Sequence, residues 1–91
     1  MAEDGLRVDK WLWHARFCKS RSLAQKLCEG GAIDVNGRTV TKSHHTVRQG
    51  DTVTMRVERG RFEQAERTVR VLALGTRRGP APEARSLYEE L

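Results

Sequence analysis

Val8, Trp11, Leu12 and Ala15 fall at i, i+3, i+4 and i+7, the spacing of one face of a short amphipathic helix. Arg7, Lys10 and His14 repeat the spacing on a second face. The run Phe17-Cys18-Lys19-Ser20 breaks the pattern. Ser20 is a suitable N-cap, because its hydroxyl can accept from a free N–H of a following helix. Ser22 with Gln25 also fits a capping box, which leaves that start open by two residues. Leu23, Ala24, Leu27 and Cys28 make the apolar face of this second helix. Gly30 or Gly31 can end it, since glycine takes the left-handed conformation past a helix C-terminus without strain.

The period then drops to two. Residues 32–35 and 38–40 flank Asn36-Gly37, a hairpin signal, because a type I′ turn needs positive φ at both central residues. Residues 49–51 read as another turn. Residues 52–58 alternate, with Val53, Met55 and Val57 on one face. Residues 59–66 read as a polar connection and 67–74 as a last strand. Ala84, Leu87, Tyr88 and Leu91 return to helical spacing, with Pro82 suited to a first turn. This order predicts an α+β fold: two N-terminal helices packed on a small, mostly antiparallel sheet, with a short C-terminal helix. The expected organisation is a tail over residues 1–6, a domain over 7–75 and a partly helical extension over 76–91.

A chain of 91 residues suits one domain with a small core. It is 37% hydrophobic and 32% charged, with a formal net charge of +5. That balance favours an anionic partner, either nucleic acid or an acidic surface. No apolar run approaches the ~20 residues of a membrane span. The first seven residues are acidic and lack the apolar stretch of a secretory signal. Two cysteines do not make a disulfide framework. A protein of the reducing cytoplasm, without membrane contact, is expected.

Cys18, Cys28, His44 and His45 are the candidate metal ligands, but they offer neither a Cys-x-x-Cys nor a His-x₃₋₅-His spacing. Cys28 lies on an apolar face, where cysteine behaves as a small hydrophobe. No metal or other cofactor is expected. No Gly-x-Ser-x-Gly, P-loop or glycine fingerprint is present, and so short a chain leaves little room for a substrate cleft. Neither an enzyme nor a small-molecule substrate is expected.

The remaining candidate is cationic. Arg7, Lys10 and His14 are placed on helix one, Arg16 and Lys19 at the joint, and Arg21, Gln25 and Lys26 on helix two. Only Asp9 is acidic between Arg7 and Lys26. An ordinary solvated face would pair its cations with acids at i+4, and these helices do not. A helix start at Ser20–Arg21 adds free N–H groups suited to phosphate. The same stretch holds Trp11, Trp13 and Phe17, three of the five aromatic residues. Trp11 and Phe17 are expected in the core. Trp13 falls roughly 100–140° off the apolar face. It could stack on a base, or lie beneath the C-terminal segment around Leu87 and Tyr88. The second is favoured, because an exposed Trp is an association hazard.

Residues 7–57 resemble the RNA-binding domain named after ribosomal protein S-four. The resemblance rests on Arg7, Asp9, Arg16, Ser20-Arg21-Ser22, Ala24, Gly31, Val35-Asn36-Gly37 and the Gly50-Asp51 turn. The double Trp of "DKWLWHARF" and the tail "RRGPAPEARSLYEEL" are similar to a small bacterial, ribosome-associated heat-shock branch of that family. The resemblance implies an alpha-L RNA-binding motif and a monomer that binds rRNA of the large ribosomal subunit. It also implies a role in recycling subunits that carry a stranded nascent chain on tRNA, with tRNA as a further partner. The residues assigned to RNA are Arg7, Lys10, His14, Arg16, Lys19, Ser20, Arg21, Ser22, Gln25, Lys26 and Lys42. Thr41-Lys42-Ser43 departs from the family in lacking a proline after the lysine, so the shape of that loop is open. Three rivals stay in view. They are a ribosome quality-control factor of the same family, the RNA-binding appendage of a truncated rRNA-modifying enzyme, and a DNA-binding module.

Overall fold

The computed structural model describes residues 5–58 and 64–91. Its elements are β1 (Gly5–Arg7), α1 (Val8–His14), α2 (Arg21–Glu29), β2 (Ile33–Val35), β3 (Arg38–Thr39), β4 (Thr46–Arg48), β5 (Thr52–Glu58), β6 (Gln64–Val71), α3 (Ala81–Arg85) and β7 (Tyr88–Glu90). The α+β class and the two leading helices match the expectation.

The second helix begins where its cap dictates. Ser20 Oγ accepts from the Leu23 N–H at 3.1 Å, which decides between the two possible starts. It ends through Gly30, whose N–H donates to the Lys26 carbonyl at 2.9 Å, and Gly31 follows at φ +78°. The first helix has only seven residues and no side-chain cap. A helix so short does not persist without tertiary support. Here a loop supplies it: the Val8 N–H donates to the His45 carbonyl at 2.8 Å and the Asp9 N–H to that of Ser43 at 3.3 Å. Thus the loop without the proline is a turn that closes the start of α1.

Five strands form one sheet in the order β3-β2-β5-β6-β7, while β1 and β4 pair apart from it. Every strand pair among the described residues is antiparallel. Asn36 at φ +53° and Gly37 at φ +82° make the expected hairpin turn between β2 and β3. Val53 and Met55 face the core as alternation requires; the Val57 side chain lies outside the described residues. Val8, Trp11 and Leu12 of α1 are fully buried and meet Ala24 and Cys28 of α2 over Ile33, Val53 and Val69 of the sheet.

Four expectations change. Residues 5 and 6, placed in an N-terminal tail, join Arg7 in β1, with Leu6 opposite Val47. Three-residue strands are too short to carry a period of two. The last long strand runs from Gln64 to Val71 instead of over 67–74. The supposed connection over 59–66 therefore loses its last three residues to β6, and 59–63 lie outside the described residues. Finally, the helical spacing of Ala84, Leu87, Tyr88 and Leu91 is realised only as far as Arg85. Pro82 does sit in the first turn of α3. Beyond it, Tyr88 pairs with Val71 and Glu90 with Val69. The edge of β6 offers unpaired backbone groups, and the chain satisfies them, with the Leu72 N–H donating to the Leu87 carbonyl at 2.8 Å.

Candidate nucleic-acid interface

The expected cationic surface is organised around one acid. Asp9 is fully buried. Its Oδ1 accepts from Arg7 Nε at 3.1 Å and from the Lys10 backbone N–H at 2.8 Å. Its Oδ2 accepts from Arg7 Nη2 at 3.0 Å and from Gln25 Nε2 at 3.3 Å, with Arg21 Nη2 at 3.6 Å. Taking a carboxylate out of water costs several kcal/mol unless charged donors meet it. Here two guanidinium groups do, one of them in the bidentate arrangement that makes such bonds strong. The side chains of Arg7 and Arg21 nevertheless remain 46% and 40% exposed. One carboxylate therefore locks an arginine from the end of β1 and another from the start of α2 while leaving both outer edges to solvent. Arg21 Nε is buried and has no partner among the described groups, so this arginine retains an unused donor.

Other assigned residues fall into two groups. Lys19, Ser22, Lys26 and Lys42 are exposed, Arg16 is exposed at the joint, and Lys10 is half-buried beside Asp9. Ser20 uses its hydroxyl as the N-cap acceptor, and the Gln25 amide turns inward to Asp9, so both support the face more than they extend it. His14 does not join this face. It is 1% exposed, and its Nδ1 lies 3.2 Å from the Leu74 carbonyl, which places a proton on Nδ1. The helical face of Arg7, Lys10 and His14 does not form, for two reasons. Arg7 is the extended N-cap residue of α1, and the returning chain at 73–75 covers the helix at its other end.

That return is built from side chains of α1 and the joint. Trp11 Nε1 donates to the Ala73 carbonyl at 3.0 Å, and Arg16 Nε donates to the Gly79 carbonyl at 2.6 Å. Arg16 itself holds the left-handed backbone conformation, at φ +63°. Trp11 is in the core, as expected, and its ring lies 5.8 Å from that of Phe17. Tyr88 covers Phe17 at 4.5 Å. The ring that half-buried Trp13 meets is His14, at 5.7 Å. The aromatic cover expected over Trp13 thus goes to Phe17, one helical turn further along the chain.

Cys18 and Cys28 are free and buried. Burial pushes the Cys18 thiol up to about 11 and that of Cys28 to about 12, so both are protonated, unreactive thiols near neutral pH. Among the described residues, no three His, Cys, Asp or Glu side chains are grouped to hold a metal ion. A second acid, Asp34, braces the β2–β3 hairpin to β5. The Arg56 guanidinium bonded to it holds its carboxyl below the usual carboxylate range, and Thr39 Oγ1 donates to it at 2.9 Å. Arg67 is likewise engaged, by Glu90 and by the rings of Phe17 and Tyr88.

Two features escaped the sequence reading. Asp9 is legible as the single acid of a basic stretch and as the acid two residues after Arg7, but its burial and its hold on Arg21 are not. The strap over 73–79 had no signal, since its bonds to α1 are made by backbone carbonyls.

The S4 domain family profile matches residues 6–53. Heat shock protein 15 of Escherichia coli (strain K12) is 45% identical over 93% of this chain and 59% of that protein. Heat shock protein 15 homolog of Aeromonas salmonicida is 47% identical over 93% and 60%. An RQC P-site tRNA stabilizing factor of Halalkalibacterium halodurans is 43% identical over 51 residues, 56% of this chain and 57% of that one. The chain therefore spans about three fifths of the length of these relatives. A solved structure, the trimeric structure of Vibrio cholerae heat shock protein 15, superimposes with a TM-score of 0.81 at 39% identity, covering 97% of this chain and 83% of that one. That neighbour is a trimer, whereas a monomer is the expectation stated above for this chain.

Proposed function

Because this chain belongs to the S4 domain family and is a close homologue of heat shock protein 15, we propose that it is a non-enzymatic RNA-binding protein that works on the ribosome. The observation that carries this reading is the buried Asp9 between Arg7 and Arg21. A solvated basic surface has no use for a desolvated carboxylate that aligns its arginines; a phosphate-binding face does. Arg7, Lys10, Arg16, Lys19, Arg21 and Lys26 neutralise phosphates, with Ser22 and Lys42 at the margin. Such contacts orient a protein on RNA without reading bases. Recognition then follows the shape of a folded RNA, because the major groove of an A-form helix is too narrow for side chains.

The partner is rRNA of the large ribosomal subunit, and the occasion is a subunit left with a nascent chain on tRNA after heat stress. The site of action is the cytoplasm. Among the described residues no helix is long and apolar enough to cross a membrane.

Binding to an rRNA hairpin at several salt concentrations tests the reading. With about four to five of these six cations on phosphates at one time, the log–log slope is roughly −3 to −4. A flat response, or equal competition by duplex DNA, overturns it. Sucrose-gradient fractionation after heat shock should place the protein with free large subunits. A second reading is favoured by two relatives named RQC P-site tRNA stabilizing factor. On that reading, electron cryomicroscopy of the bound subunit finds the protein supporting a tRNA during tail addition to the nascent chain.

A further inference from the structure

Three groups of α1 and the joint meet the carbonyls of one segment: Trp11 at Ala73, His14 at Leu74 and Arg16 at Gly79. The segment is pressed close to the helix. Gly75 sits at φ +77°, and a Cβ there would stand 3.1 Å from Leu87 Cδ1 and 3.5 Å from His14 Nδ1. Between the anchored carbonyls of Leu74 and Gly79 the chain carries Arg77 and Arg78. Arg78 is half-buried, and its Nε is buried without a partner among the described groups. Arg77 Nη2 lies 3.0 Å from Glu83 Oε2, in a pair whose side chains are 68% and 45% exposed. Arg16, whose Nε donates to the Gly79 carbonyl, one residue beyond Arg78, keeps its terminal nitrogens for a second acceptor.

We infer that Arg16, Arg77 and Arg78 form a second phosphate site, at the seam between the helix joint and the C-terminal strap. It holds a backbone phosphate of the RNA beyond the span of the α1–α2 face. The inference rests on the RNA-binding reading above. Three observations point to a phosphate. The Arg16 guanidinium, far away in sequence, is bonded to the backbone of the strap that carries Arg77 and Arg78. One of them retains a buried, unpaired donor. Among the described residues the acid bonded to the cluster is Glu83, in an exposed pair, which is weak and exchangeable. A phosphate oxygen replaces that carboxylate on Arg77 and accepts from the charged donors beside it.

The test uses the full chain and the rRNA hairpin that it binds. Arg77→Ala with Arg78→Ala should lower the magnitude of the salt slope by about 1–2 and weaken binding several-fold, with an unchanged circular dichroism spectrum. If loss of Arg78 disturbs the fold, exposed Arg77→Ala alone should still reduce the slope by roughly 1. Glu83→Gln removes the competing acid and should tighten binding more than Glu89→Gln, which changes net charge equally but lies on β7. A wild-type slope in the arginine variants, or equal effects of the two glutamine variants, sinks the second site and leaves the main face standing. A wild-type protein with no salt dependence removes both.

Discussion

The indole N–H of Trp11 donates to the carbonyl of Ala73 at 3.0 Å, joining the first helix to the chain that leaves the long strand β6. The ring is fully buried, so this bond is shielded from water. Trp11→Phe keeps an aromatic ring but leaves the Ala73 carbonyl unpaired and a gap where the second ring stood. An unpaired buried acceptor costs about 1–3 kcal/mol, and the gap adds to it. The expected loss is about 2–4 kcal/mol, read as a lower urea midpoint at unchanged slope. Trp13→Phe should cost less than about 1 kcal/mol, since that ring is only half-buried. Equal losses would contradict this division between the two tryptophans.

Asp9→Asn separates charge from alignment. The change removes one carboxylate and raises the formal net charge from +5 to +6. If binding followed charge alone, affinity for RNA would rise. The structure predicts a fall instead, because Arg7 and Arg21 lose the negative charge and one of the two acceptor oxygens that hold them in place. Folding should weaken by about 1–3 kcal/mol. Filter binding at one salt concentration, below the melting point of the variant, decides the sign.

The pH dependence of stability carries a signature of Asp34. Its carboxyl titrates below the usual range because Arg56 bonds to its ionised form. The stabilisation is therefore complete above the unfolded-state value of about 4 and is lost as pH falls through the lower folded-state value. Asp34→Asn should be less stable than the wild type at pH 7. The two melting curves should converge below about pH 4. A constant difference down to strong acid would mean that the stabilisation does not come from the ionised pair.

Cys18 and Cys28 should be silent toward thiol reagents in the native state. Burial raises the two thiols to about 11 and about 12, and both side chains are shut off from solvent. Labelling at pH 8 should proceed only at the rate of local or global opening and become rapid in urea. Fast labelling of the native chain, or its suppression by zinc, would revive the metal reading.

Several parts of this protein were legible without coordinates, each because the cause is local. Ser20 caps α2 through a bond to a residue three positions away. Asn36-Gly37 forces its turn through the φ angles of those two residues. Val53 and Met55 alternate onto one face by the pleat alone. The cations of the joint and α2 could also be placed, because an exposed lysine needs no partner.

What the sequence left open was decided where distant segments satisfy one another's polar groups. His14 had the spacing of a surface residue and became a core donor to Leu74. Residues 88–90 had the spacing of a helix and became a strand, because β6 presented an edge to pair with. Gly5–Arg7 became β1 only because Thr46–Arg48 lies beside it. Asp9 changed most, from a lone acid in a basic run to the buried anchor of Arg7 and Arg21. Its position was readable in the chain. Its burial, and hence its hold on two arginines, comes only from the packing of α1 against α2, because burial is a property of the assembled fold and not of the spacing of residues along it.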